Sequence, residues 1–129
     1  MTKLTRAQLI EMVERRYFGN VDAGRLEPTL ACFRADATLA VQTAGVVHRG
    51  EPAIRRMFGD FFASTRSRHH GDYSHVVDVE GQRIASQFVA RNSYGDGRKV
   101  EMRNCNFFEL TDGRLARVTI YMSGDNPLV

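Results

Sequence analysis

The strongest constraint on the fold of this 129-residue chain is the regular punctuation of its second half. Residues 72–79, 83–94, 99–110 and 114–122 are rich in β-branched and aromatic side chains. Between them stand Glu80-Gly81, Asp96-Gly97 and Asp112-Gly113, pairs suited to the positive φ angles of tight hairpins. Four consecutive strands joined this way form an antiparallel meander, and a meander with one apolar face must lay that face on something.

The first half supplies the cover. Thr5 stands three residues before Gln8, the spacing of a capping box, so a helix opens at Arg6. Leu9, Val13 and Tyr17 follow at four-residue intervals beside Ile10. The pattern predicts a helix to about Phe18, with Gly19-Asn20 as its stop. A short second helix carries Leu26, Leu30 and Phe33, with Pro28 in a first turn whose amides lack partners anyway. Gly50-Glu51-Pro52 opens a third, which presents Ile54, Phe58, Phe61 and Phe62. Residues 36–42 and 46–49 read as short strands between the second and third helices. The class is therefore α+β, three helices on one face of a strongly curved, mainly antiparallel sheet, in a single domain over residues 1–129.

Composition narrows the function. No stretch reaches the roughly 18 consecutive apolar residues of a membrane span, and MTKLTRAQLIEM reads as a helix start, not a leader, so a cytoplasmic chain without a membrane partner is expected. The net charge of +3 comes from sixteen arginines and two lysines scattered among acids, with no interleaved stacking aromatics, which argues against nucleic acid. Cys32 and Cys105 read as free thiols. The histidines and acids show no metal-ligand spacing, and neither phosphate loop, dinucleotide fingerprint nor nucleophile elbow is present, so no cofactor or metal is expected.

The stretch EMRNCNFFEL, residues 101 to 110, places Asn104 and Asn106 in phase with Met102, Phe108 and Leu110. A buried amide without a partner costs about 1–3 kcal/mol, so two on one inner face call for water, polar neighbours or a ligand. A bulged turn at Asp112-Gly113 would set Asn106 opposite Val118 and Asn104 opposite Ile120. Extending the loop at 95–97 by one residue turns Phe88, Ala90, Asn92 and Tyr94 inward. A tight turn at Glu80-Gly81 then places Val77 opposite Ile84, Tyr73 opposite Phe88 and His69 opposite Asn92. The expected polar cluster is His69, Asn92, Asn104 and Asn106, faced by the phenol of Tyr17 and walled by Val41, Phe58, Phe108, Val118, Ile120 and Met122. His70, adjacent to His69, leaves open which imidazole points inward. His48 and His75 read as surface or satisfied core residues, and Asp22 and Asp36 as structural acids.

The runs VERRYFGNVDAGRLEPTLACFRADATL, HRGEPAIRRMF and NFFELTDGRLARVTIYM resemble the nuclear transport factor 2-like superfamily, in particular its SnoaL-like and ketosteroid-isomerase-like members. The likeness spans nearly the whole chain. It implies a cone of three helices closed over a bent sheet with a pocket at one end, commonly in homodimers. It also implies Tyr17 as an oxyanion-hole donor and Asn106 in place of a protonated acid, but Val41 where ketosteroid isomerases keep their base, so that reaction is not expected. The scytalone-dehydratase-like and bile-acid-dehydratase-like group offers another match through Tyr17, His69 and Asn106, with Asn92 or Ser93 where a second histidine would stand. Three readings stay open. One is a cofactor-free lyase, isomerase or cyclase acting by proton transfer on a small apolar carbonyl compound, with Tyr17, His69 and Asn106 as its catalytic residues. The second is a non-catalytic binding domain using the same pocket. The third is a dimeric interaction module using the outer sheet face around Cys105, Phe107 and Tyr121.

Overall fold

The computed structural model describes residues 3–124 and 126–128. The first helical arm consists of α1 (Arg6–Glu11), a π-helical stretch (Met12–Tyr17) and α2 (Phe18–Asp22). Its start is the expected capping box: Thr5 Oγ1 accepts from the Gln8 amide at 3.2 Å and Gln8 Oε1 accepts from the Thr5 amide at 2.9 Å. Its end lies further on than the sequence suggested. The apolar four-residue rhythm continues from Tyr17 to Val21, which is 2% exposed, and carries the arm past Gly19-Asn20. Gly24, at φ +67°, then terminates it, with the Gly24 amide donating to the Val21 carbonyl and the Arg25 amide to that of Asn20, both at 3.0 Å. This is a Schellman stop, which needs a residue able to adopt a left-handed conformation.

Helix α3 (Leu26–Leu30) is short, and Phe33 belongs not to its stripe but to the start of β1 (Phe33–Val41). Consequently Asp36 lies within a strand and not at its entry, where it pairs with Arg34 in solvent. β2 (Val46–Arg49) folds back on β1, and α4 (Gly50–Ser64) buries Ile54, Met57, Phe58 and Phe61. Then come β3 (Thr65–Asp78), β4 (Arg83–Tyr94), β5 (Lys99–Thr111) and β6 (Arg114–Tyr121). The six strands run in the order β2-β1-β6-β5-β4-β3, antiparallel except where β1 lies parallel to β6. The sheet is curved and open, with the helices on its concave face.

That face follows the alternation read from the sequence. Ile84, Ser86, Phe88, Ala90 and Asn92 of β4, and Met102, Asn104, Asn106, Phe108 and Leu110 of β5, are all buried. The β5–β6 register differs from the expected one by two residues: Asn106 pairs with Ile120 and Phe108 with Val118. The turn closes tightly on Asp112 (φ 52°) and Gly113 (φ 77°), and the extra residue sits in β6, between Leu115 and Arg117. A two-residue shift leaves every side chain on its predicted face.

The β3–β4 hairpin changes more. Val77 pairs with Ile84 as expected, but between Gly71 and Ser74 the strand holds one residue more than β4 does, with Asp72 at φ 55°. Beyond this bulge the register slips by one and the faces exchange. His69 therefore pairs with Arg91, not Asn92, and is exposed, while His70 pairs with Ala90 and turns inward. Tyr73, expected opposite Phe88, lies inside the bulge, with its ring centroid 6.1 Å from that of Phe88.

Candidate active site

Between the helical arm, α4 and the inner faces of β4 to β6 lies a pocket of about 400 Å³ of unfilled space, counting the part continuous with solvent. Of this space only about 30 Å³ admits the centre of a water molecule, so the pocket has room for water only. Pro127 and Leu128 cover part of the wall. Their segment is held by His48, whose Nε2 donates to the Leu128 carbonyl at 2.8 Å. An organic ligand needs this wall or a side chain to move.

Of the residues expected here, Tyr17, Phe58, Asn92, Asn104, Asn106, Ile120 and Met122 line the pocket. Val41, Phe108 and Val118 are not pocket lining; each is fully buried and packs the core behind it. His69 is not part of the pocket, because the bulge turns it to the outer face beside Ser67, Arg91 and Lys99. His70 takes its place.

His70 is held more firmly than a lone histidine would be. Its Nδ1 lies 2.5 Å from Asp22 Oδ1, and its backbone amide donates to Asp22 Oδ2 at 3.0 Å. Asp22 reaches it only because the arm runs one turn past Gly19. The ring stacks on Phe18 at 4.3 Å between centroids and 21° between planes, and its side chain is 9% exposed. With a carboxylate on Nδ1, that nitrogen donates, so in the neutral ring Nε2 keeps its lone pair; Nε2 has no protein partner among the described residues.

Tyr17 is 2% exposed and meets Phe18, Phe33, Phe58 and Phe108 edge-on. Burial, reinforced by Cys32, Tyr73 and Asp22, raises its phenol well above the ordinary 10.0, so the hydroxyl stays protonated and can donate. It closes the π-helical stretch, a widened turn of the kind often found at functional sites. Tyr73, its phenol also raised by burial, donates to the His70 carbonyl at 3.2 Å and steadies the strand at the bulge.

The amides differ from one another. Asn104 Oδ1 accepts from the Ser123 amide at 3.2 Å. The Oδ1 atoms of Asn92 and Asn106 are buried with no hydrogen-bond partner among the described residues.

A second imidazole–carboxylate pair lies on the same seam. His75 Nε2 is 2.6 Å from Glu14 Oε2, and its Nδ1 is 2.7 Å from Ser86 Oγ. Both nitrogens are engaged, in keeping with the satisfied role read for His75 from the sequence. Sequence reasoning passed over Glu14 and Ser86, read Asp22 as a structural acid, and left His70 as the alternative to His69. The signal for Asp22 was the continuation of the Val13, Tyr17, Val21 rhythm; for His70 it was the undecided choice between neighbouring histidines. Among the described residues no three His, Cys, Asp or Glu side chains gather as a metal site, both cysteines are free, and no helix is long and apolar enough to cross a membrane.

Helices laid over an open, strongly curved sheet of this strand order make the fold of the nuclear transport factor 2-like class. Within it, the SnoaL-like domain model matches residues 15–118, and the chain belongs to that family. Among solved structures, the fold is similar to that of a protein provisionally named a polyketide cyclase from Xanthomonas campestris pv. campestris, with TM-score 0.79, 23% identity and 90% of each chain covered. It is also similar to a provisionally named aromatic ring hydroxylase from Novosphingobium aromaticivorans, with TM-score 0.79 and 22% identity, covering 93% of this chain and 92% of that one. A provisionally named isomerase from Bacillus subtilis gives TM-score 0.82 at 12% identity, covering 95% and 90%. At such identities the likeness concerns the fold alone. No curated protein sequence matches the chain.

Proposed function

We propose that this protein is a cofactor-free lyase, isomerase or cyclase that moves a proton on a small, largely apolar carbonyl compound. The observation that carries this reading is the His70–Asp22 pair: one imidazole nitrogen is fixed on a carboxylate and the other is left as a base on a residue that lines the pocket. In the proposed step, Nε2 of His70 takes a proton from the carbon next to the substrate carbonyl. The electron pair of that C–H bond moves onto the carbonyl oxygen, and the resulting enolate is met by the hydroxyl of Tyr17 and the amide of Asn106. The imidazolium, facing Asp22, then returns the proton to another carbon, which gives isomerisation, or to a departing hydroxyl, which gives loss of water; where the enolate carbon instead attacks a second carbonyl of the same molecule, the new C–C bond closes a ring and the proton goes to the alkoxide oxygen so formed. The family and the names of the structural neighbours favour this group of reactions.

The test is deuterium incorporation at the α-carbon of a panel of cyclic and aryl ketones in D₂O, followed by NMR. Accelerated exchange with at least one member, lost in His70→Ala, supports the assignment. Ligands that bind equally well to wild type and His70→Ala, with no exchange in either, would make the pocket a receptor instead. Association of two copies through the outer sheet face is a separate reading, favoured by the exposed, edge-on pair Phe107 and Tyr121. A monomer at all concentrations in size-exclusion chromatography would remove it.

A further inference from the structure

The base and the oxyanion donors account for one end of the pocket, but not for Asn92. It is 4% exposed, lines the pocket, and its Oδ1 is buried without a donor among the described residues. Its neighbours offer no structural use for it. Opposite it on β3 is Arg68, whose guanidinium bonds other groups: Nε donates to the Val21 carbonyl at 3.0 Å, and Nη1 donates to Thr65 O at 3.2 Å and Thr65 Oγ1 at 2.5 Å, while Nη2 lies beside Gly24. Opposite it on β5 is Val100, and the next inward pair along the strands is Ala90 with Met102. A polar side chain kept in such surroundings is satisfied by what enters the pocket, water when no ligand is there and a ligand group that displaces it otherwise.

The register gives the spacing of these residues along the sheet. Ala90 is the partner of His70, and Asn92 is two residues further along the same face of β4. Two residues of strand span about 7 Å. Asn106 pairs with Ser86, four residues from Ala90 in the opposite direction, so the base stands between the two amides.

We propose that Asn92 is a ligand-recognition residue, and that the substrate carries a hydroxyl group about 7 Å from the carbon that His70 deprotonates, on a flat apolar body that passes between Phe88, Met102 and Phe61. This rests on the pocket reading above and adds a second polar end to the substrate class. The hydroxyl of the ligand donates to Asn92 Oδ1, while Asn106 and Tyr17 hold the reacting oxygen. Pocket residues that only filled space would be apolar here, as Ala90 and Met102 are.

Asn92→Leu, of nearly the same volume, tests the assignment in two ways, with Asn92→Ala as a second variant. The melting temperature without ligand is expected to hold or to rise by about 3 °C, since an unpartnered amide is removed. In fluorescence titrations, wild type is expected to bind 2,6-dihydroxynaphthalene about three- to tenfold more tightly than 2-naphthol, and both variants to bring that ratio close to one. A melting point lowered by several degrees in both variants would make Asn92 a structural residue and overturn the proposal. So would an unchanged ratio, or wild type that binds neither probe. If the preference for the diol persists in wild type and in His70→Ala while no proton exchange is found, the recognition role of Asn92 stands and the catalytic reading falls.

Discussion

The first helical arm meets β3 through two imidazole–carboxylate pairs, Asp22 with His70 and Glu14 with His75, and they lie on either side of the bulge at residues 71–74. In both, the imidazole is nearly buried, with side-chain exposures of 9% and 8%. What separates them is the second nitrogen. In His75 it meets Ser86 Oγ, so the ring joins arm to sheet and has no valence left for chemistry. In His70 it has no protein partner among the described residues, and the ring is part of the pocket wall. The same pair of residue types thus makes a strut at one place and a base at the other, and the difference lies in what the next strand position supplies: serine for His75, alanine for His70.

The largest effect expected from this contrast is on turnover. His70→Ala should lower the rate per folded molecule by about 10² to 10⁴-fold, the usual contribution of a placed general base, together with a loss of stability because Asp22 loses its imidazole and Phe18 its stacking partner. His75→Ala, judged by chemical denaturation, should cost about 2 to 3 kcal/mol because it strands Glu14 and Ser86, while turnover per folded molecule changes little. A loss of turnover per folded molecule in His75→Ala but not in His70→Ala would break the comparison. Tyr17→Phe should reduce turnover by about ten- to a hundredfold without lowering the melting temperature, since the ring contacts remain and only the donor is lost. The smallest effect is at high pH. Burial holds the phenols of Tyr17 and Tyr73 above their ordinary 10.0 in the folded chain. Above pH 10 the unfolded chain therefore releases protons that the folded chain keeps, and stability declines as pH rises, having been fully present below that value. Absorbance of these two phenolates should appear together with unfolding; phenolate growth from both while the chain remains folded would contradict their burial.

The sequence carried the order of elements, the curved sheet and the inward faces of β4 and β5, because alternation and turn residues are local properties. It carried Tyr17, Asn92, Asn104 and Asn106 to the pocket for the same reason, and the two-residue shift against β6 did no harm to any face. The histidine was misplaced because a bulge is one residue with no signature of its own: Asp72 at positive φ is unusual, but Gly71 and Asp72 read equally well as an ordinary strand start. Asp22 was read as a structural acid in a loop because Gly19-Asn20 looked like a helix stop, whereas the burial of Val21 and the motif at Gly24 carried the arm onward. Both errors concern long-range partners, since Asp22 and His70 are 48 residues apart and neither is interpretable without the other.

The most direct test is the protonation pattern of the two imidazoles, read from long-range ¹H–¹⁵N correlations on the folded protein near pH 8. The expected spectrum shows opposite tautomers: His70 protonated on Nδ1, facing Asp22, with Nε2 bare and shifting when a pocket probe such as 2-naphthol is added, and His75 protonated on Nε2, facing Glu14, and unmoved by the probe. His70 carrying its proton on Nε2, or the two rings responding alike, would contradict the assignment of one as base and the other as strut.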